Sequence, residues 1–231
     1  MSGFQFKQFY VNHSGAAMKV GTDGILLGAW AAISPNQRVL DIGTGSGLIS
    51  LMLKQREPSC ALTAIEIDNL AAMQARDNVV NSPWPDIKVL EQDIQCYTSL
   101  QPFDLVVSNP PFFQRSLRGP NEARNTARHT DSLSFSGLFD AFNRLSTHDA
   151  KLALVLPAES LDQISRLSTQ YGFYLSRITY VKTTLTKPAK RVLIEVSKLK
   201  QICLESELII HQGDGYHLDY IKLCKDFYLK M

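Results

Sequence analysis

From residue 38 onward, short runs of β-branched and apolar residues alternate with longer stretches whose apolar positions recur every three or four residues. The runs at 38–42, 62–66, 87–91, 103–108 and 151–156 predict strands, and the stretches at 46–56, 69–81, 135–145 and 159–170 predict helices. Ser82-Pro83-Trp84-Pro85 ends the second helix, because proline lacks an amide donor and restricts its predecessor. This alternation predicts an α/β fold, a mostly parallel sheet with helices on both faces. The rhythm then changes. Residues 173–181 and 191–196 read as two strands joined by a short polar segment holding Pro188, which predicts an antiparallel hairpin closing the sheet. Ahead of the first core strand, Phe4-x-Phe6-x-x-Phe9-Tyr10 and Met18-Lys19-Val20 look like a small hairpin, and Thr22 is placed to cap a helix through Ala32.

Composition narrows the class without changing this picture. The 231 residues are 45% apolar and 20% charged, a globular profile with room for one α/β domain. We expect a single domain over 1–231: an amino-terminal hairpin and helix lid at 1–37, the core at 38–200, and a strand and helix at 201–231. The apolar stretch from Leu26 to Ile33 is far shorter than the ~20 residues that span a bilayer, and the first residues carry no basic-then-apolar signal. A cytoplasmic protein with no membrane partner is expected. Cys60, Cys96, Cys203 and Cys224 stand far apart and form no ligand spacing with the five histidines, so neither a disulfide nor a metal site is expected.

Candidate chemistry begins at Asp41-Ile42-Gly43-Thr44-Gly45-Ser46-Gly47, between the first strand and first helix. Glycines there let a ligand approach the main chain at the carboxyl edge of the sheet. A dinucleotide fingerprint requires glycine at position 48, which is Leu48; the third glycine comes one residue early, at Gly47. The turn and the order of strands and helices resemble class I methyltransferases, which implies their seven-stranded fold and S-adenosyl-L-methionine as cofactor, with S-adenosyl-L-homocysteine as product. In that resemblance Asp41 acts at the methionine end, and Gly43, Gly45 and Gly47 accommodate the nucleoside. Glu66, at the end of the second strand, can accept both ribose hydroxyl hydrogens. Asp93 and Ile94 fit the family position that receives the adenine amino group and holds its ring. Thr22 and Asp23 either help close this pocket or only start a helix.

Ser108-Asn109-Pro110-Pro111-Phe112-Phe113 follows the fourth strand. Two prolines cannot continue a central strand, so they make a stiff corner that presents Asn109 to the cleft. An exocyclic amine on a nucleobase is a poor nucleophile, because its lone pair is delocalised into the ring. Two acceptors, the Asn109 side-chain carbonyl and the Pro110 backbone carbonyl, can bind its hydrogens and aim that lone pair at a methyl donor. Phe112 would stack on the flipped base, worth ~1–3 kcal/mol, with Pro111 stiffening the corner. The segment resembles the catalytic signature of enzymes that methylate planar nitrogens in nucleobases or in glutamine.

The formal charge of +2 is too small to indicate a nucleic-acid partner, but two segments concentrate positive charge. Residues 114–130 hold Arg115, Arg118, Arg124 and Arg128 against Glu122, and residues 182–200 hold six basic residues, Lys190 and Arg191 among them, against Glu195. Phosphates are expected at Arg115, Arg118, Arg124, Arg128, Lys190 and Arg191. The amino-terminal pattern from Phe4 to Trp30 joins the glycine turn, Asn81-Ser82-Pro83-Trp84, Asn109-Pro110-Pro111-Phe112 and terminal Phe227-Tyr228-Leu229. Together these closely resemble the bacterial valine-tRNA adenine-N6 methyltransferase family over essentially the whole chain. That resemblance implies methylation of the adenine 3′ of the anticodon in valine tRNA, and no stable protein partner. Phe112 stands where some relatives have tyrosine. The rival expectations are an Asn-Pro-Pro-Phe enzyme acting on a ribosomal RNA guanine amine or a release-factor glutamine, and a non-enzymatic RNA-binding protein.

Overall fold

The computed structural model describes residues 3–13, 20–110 and 133–231. Pro111, Phe112, Arg115, Arg118, Arg124 and Arg128 lie outside the described residues, as do Met18 and Lys19. In chain order the elements are β1 (Gly3–Gln5), β2 (Tyr10–Asn12), α1 (Thr22–Trp30), β3 (Arg38–Ile42), α2 (Leu48–Arg56), β4 (Ala61–Glu66), α3 (Asn69–Val80), β5 (Lys88–Glu91) and β6 (Phe103–Ser108). Then come α4 (Phe135–Leu145), β7 (Ser146–Pro157), a 3-10 turn (Ala158–Ser160), α5 (Leu161–Gln170), β8 (Tyr174–Lys182), β9 (Ala189–Ser197), β10 (Leu204–Ile209), β11 (His211–Gln212), β12 (Gly215–Tyr216) and α6 (Leu218–Cys224).

The central sheet runs in the order β10-β8-β9-β7-β6-β3-β4-β5. Only β9 is antiparallel to its neighbours, β7 and β8, so the closing hairpin stands as expected. The sheet has eight strands where seven were expected. β10 adds to the outer side of β8 in parallel, pairing Leu204 with Arg177 through Ile209 with Lys182. Its first four residues are exposed, because an edge strand buries little and carries no apolar alternation.

Alternating side chains feed two cores, one on each face of the sheet. Val39, Leu105, Val107, Ala153, Val155 and Leu193 pack under α1 and α2. Leu40, Ile42, Val106, Leu152, Leu154 and Ile194 pack under α4 and α5. Asp41 shares the parity of Val39, so its carboxylate projects to the α2 side. Both faces are covered, and the strands accordingly read as continuous apolar runs.

The amino-terminal hairpin pairs β1 with β2; Met18 and Lys19 of the expected partner strand lie outside the described residues. The α1 N-cap is Gly21 rather than Thr22, no side chain caps it, and the helix stops at Trp30 rather than Ala32. Phe6 stacks on Phe9 at 4.7 Å and bridges Tyr228, and Phe9 meets Trp84 edge-on at 5.9 Å. Three of the segments that carry the family resemblance thus form one aromatic core. Helices α1 and α2 touch closely at Gly28, where a Cβ would stand 2.8 Å from Met52 Sδ and 2.9 Å from Met52 Cβ. Gly28→Ala is expected to destabilise the fold by about 1–3 kcal/mol through overpacking. A urea midpoint unchanged from wild type would show that the helices separate at no cost.

Candidate active site

Parallel strands β3, β4, β5 and β6 end on one edge of the sheet, and the residues after them build the cleft. The turn after β3 needs glycine: φ is +72° at Gly43, +57° at Gly45 and +82° at Gly47, a region that side chains with a Cβ rarely enter. A Cβ on Gly43 or Gly45 would meet nothing within 4 Å, so main chain faces open space there. A Cβ on Gly47 would stand 3.6 Å from Ala75 Cβ, where the start of α2 meets α3.

Asp41 is fully buried. Its Oδ2 accepts hydrogen bonds from Thr44 Oγ1 at 2.6 Å and Ser50 Oγ at 2.7 Å. Its Oδ1 is buried with no partner among the described residues. Burial pushes the carboxyl up to about 6, against the lowering pull of the Thr44 and Ser50 hydroxyls, and the Glu66 charge adds to the rise. An orphaned buried acceptor costs about 1–3 kcal/mol, which a cationic ligand relieves. This fits the ammonium group of a methionine moiety.

Glu66 grips the turn. Its Oε2 accepts from the Gly45 amide at 2.8 Å, and its Oε1 from the Ile67 and Asp68 amides at 2.9 and 3.0 Å. A carboxylate offers about four lone-pair sites. One therefore stays open for a ribose hydroxyl, and a second hydroxyl would have to displace an amide. Asp93 Oδ1 accepts from the Gln95 amide at 2.9 Å in a local turn, and Ile94 is buried in the core under α4.

At the end of β6, Ser108 donates its hydroxyl to the Ile42 carbonyl at 2.8 Å, locking that strand to β3. Asn109 follows. Its Oδ1 is the second orphan at this edge, buried and without a partner among the described residues. Pro110 is buried behind it. The two unpartnered acceptors, Asp41 Oδ1 and Asn109 Oδ1, therefore stand at the ends of adjacent strands, whose backbones lie ~4.8 Å apart.

Asp23, in the first turn of α1, accepts from Arg191 Nε at 2.8 Å, tying α1 to the start of β9. Lys190 beside it is exposed, but the run at 182–200 divides. Lys182 pairs with Glu207 at 2.6 Å. Because β9 is antiparallel, Lys198 and Lys200 come out at the opposite edge, where Lys198 Nζ donates to the Asn143 and Ser146 carbonyls. Only the start of this run serves the cleft edge.

Three site residues escape a reading of the sequence. Thr44 and Ser50 hold Asp41, and Asn78 on α3 bonds both the Ser46 carbonyl, at 2.8 Å, and the Asn12 carbonyl, at 2.9 Å, joining the amino-terminal hairpin to the turn. For Ser50 and Asn78 the available signal is a hydroxyl or amide inside an otherwise apolar helix face; Thr44 lies in the turn itself.

Comparison with known proteins agrees with this geometry. The family model described as methyltransferase small domain matches residues 13–129. A tRNA1(Val) (adenine(37)-N6)-methyltransferase of Pseudoalteromonas translucida is 51% identical over 100% of both chains. One of Aeromonas hydrophila is 47% identical over 100% of this chain and 98% of its own. A solved structure of a predicted O-methyltransferase from Agrobacterium tumefaciens shares the fold at a TM-score of 0.68 and 19% identity, covering 89% of this chain and 96% of its own. With full-length identity at this level, the chain belongs to the tRNA1(Val) (adenine(37)-N6)-methyltransferase family.

Proposed function

We propose that this protein transfers a methyl group from S-adenosylmethionine to the exocyclic N6 of adenine 37 in tRNA1(Val), the reaction its relatives are named for. The observation that carries the reading is the orphaned Asn109 Oδ1 at the carboxyl end of β6, one strand from the orphaned Asp41 Oδ1. When bound, S-adenosylmethionine supplies an electrophilic methyl on a sulfonium sulfur and leaves as S-adenosylhomocysteine. Asp41 would hold its ammonium, the Gly43–Gly47 main chain would accommodate the nucleoside, Glu66 would take a ribose hydroxyl, and Asp93 with Ile94 would receive the adenine.

Asn109 Oδ1 and the Pro110 carbonyl accept the two amine hydrogens of the target base, which localises the nitrogen lone pair and directs it at the methyl. This is orientation and electrostatic stabilisation; once the nitrogen has gained its methyl, its acidic proton passes to solvent water. Phe112 supplies the stacking face. Thr22 and Asp23 stand at the start of the lid, where the Asp23–Arg191 pair sets its position. Arg115, Arg118, Arg124, Arg128, Lys190 and Arg191 are assigned to phosphate. We place the protein in the cytoplasm, working without a metal or a stable protein partner; among the described residues no helix is long and apolar enough to cross a membrane.

Lys190→Ala is expected to weaken RNA binding and flatten its logarithmic salt dependence by about one unit, with cofactor affinity unchanged. An unchanged slope would remove Lys190 from the contact set. The function itself is tested by incubating the protein with labelled S-adenosylmethionine and total RNA from cells lacking it. Label is expected in the tRNA fraction and, after hybrid selection, in valine tRNA. Label in ribosomal RNA, or in protein alone, would move the activity to a different acceptor.

A further inference from the structure

The carboxyl edge extends past the active site. β8 and β10 run in the direction of β7, so Lys182 and Ile209, paired in register, end on the same edge as Ser108. Just beyond them the β8–β9 connection and the β11–β12 hairpin enclose an open cavity of about 210 Å³. Its walls are fixed by main-chain bonds, Ile210 N to Lys182 O at 3.0 Å, His211 N to Thr183 O at 2.9 Å and His217 N to Ile210 O at 2.9 Å. The His211 ring is stacked on Tyr216 at 5.3 Å.

The lining is mixed and holds no Lys, Arg, Asp or Glu. Thr184, Thr186, Gln212 and His211 each offer donor and acceptor atoms around apolar Leu185 and Ile209. The side chains of Thr184, Thr186 and Gln212 form no hydrogen bond with another described residue. His217, which also lines the cavity, is paired with Asp219 at 3.4 Å, and Lys182 at the end of β8 is paired with Glu207. No Lys or Arg lines the cavity to hold a phosphate, whereas a flat heterocycle with both donors and acceptors would find its complement there. The volume lies below the ~300–1,000 Å³ of sites for drug-sized ligands and suits one ring system.

Position identifies the source of the ring. Four strand spacings separate β6 from β10, which places the cavity ~15–20 Å along the edge from Asn109. Lys190 and Arg191, at the start of β9, lie between the two points. At ~3.4 Å per stacked step this span is on the order of four to six nucleotides, fewer if the strand is extended. We infer that this cavity is a second base-binding subsite, which takes one unpaired nucleobase of the same RNA strand a few nucleotides from the methylated adenine and so sets the register of the substrate. The inference rests on the proposed RNA methyl transfer.

The test uses valine tRNA transcripts carrying a single abasic site, moved one position at a time through the anticodon loop. Away from the target adenine, one position is expected to raise KM about tenfold with kcat within twofold. The Thr184→Ala/Gln212→Ala double variant should raise KM about tenfold on intact tRNA and add nothing on the sensitive abasic transcript. Its affinity for S-adenosylhomocysteine should match wild type, which certifies the fold. KM within twofold of wild type for the variant on intact tRNA, or abasic and variant effects that multiply to about 100-fold, would overturn the subsite alone. A wild-type protein that methylates no RNA would overturn the proposed function and the subsite with it.

Discussion

Asn109→Ala is expected to lose about 100-fold or more in turnover while binding S-adenosylhomocysteine as wild type does. The size follows from removing one aimed polar group that acts on charge developing in the transition state. The side chain is well placed for this role because its Oδ1 makes no bond to a described residue, so its removal breaks no described contact of the fold. Ser108 and its bond to Ile42 stay in place and hold the end of β6. Single-turnover kinetics and calorimetry separate the two effects. Near-normal turnover would remove the catalytic assignment, and a large loss of cofactor affinity would make Asn109 a structural residue of the pocket.

Asp41→Asn is expected to weaken cofactor binding about 100-fold or more, because deleting the charge from a buried ion pair leaves the other partner uncompensated at a cost of ~3–5 kcal/mol. The same carboxylate makes binding pH-dependent. Burial, the largest influence, raises it to about 6, so below that pH the free protein holds a proton that must leave before an ammonium can bind. Affinity should be level above pH 6 and fall about tenfold for each pH unit below it. The unfolded chain, with an ordinary carboxyl near 3.8, has already lost that proton between about pH 4 and 6. In this window the folded state binds more protons, so the stability of the cofactor-free protein should decline as pH rises from about 4 and level off above 6. Calorimetric titration from pH 5 to 8 checks both variants: a flat wild-type profile, or an Asp41→Asn profile that still breaks near 6, would assign the titration to another group.

Strand β6 and helix α4 can be read from the sequence to the residue, because elements packed in the core carry a periodicity that nothing overrides. β10 could be read as a strand but not as a member of the sheet, since Leu204-Glu205-Ser206-Glu207 looks the same at an exposed edge as in a solvated loop. The β1–β2 pairing was not legible for a related reason: Tyr10, Val11 and Asn12 form too short a strand to show alternation, and pairing across four residues depends on the aromatic core they join. The glycine turn, Asp41, Glu66 and Asn109 were legible because their backbone or charge requirements are local. Ser50 and Asn78 were not, because each acts on a residue brought near by the fold, and Thr44, though local, lies in a turn whose sequence does not say which way its hydroxyl points. Charge counting failed at Lys198 and Lys200 because β9, nine residues at ~3.3 Å each, carries the chain from one edge of the sheet to the other.

The most direct measurement of the central claim compares two unmodified tRNA1(Val) transcripts, one with adenine and one with guanine at position 37, each incubated with the protein and S-adenosylmethionine. Nuclease mapping and nucleoside mass spectrometry of the products should find N6-methyladenosine at position 37 of the first, near one methyl per molecule, and none in the second. Equal methylation of both transcripts, methylguanosine in either, or methylated protein with unlabelled RNA would contradict the account.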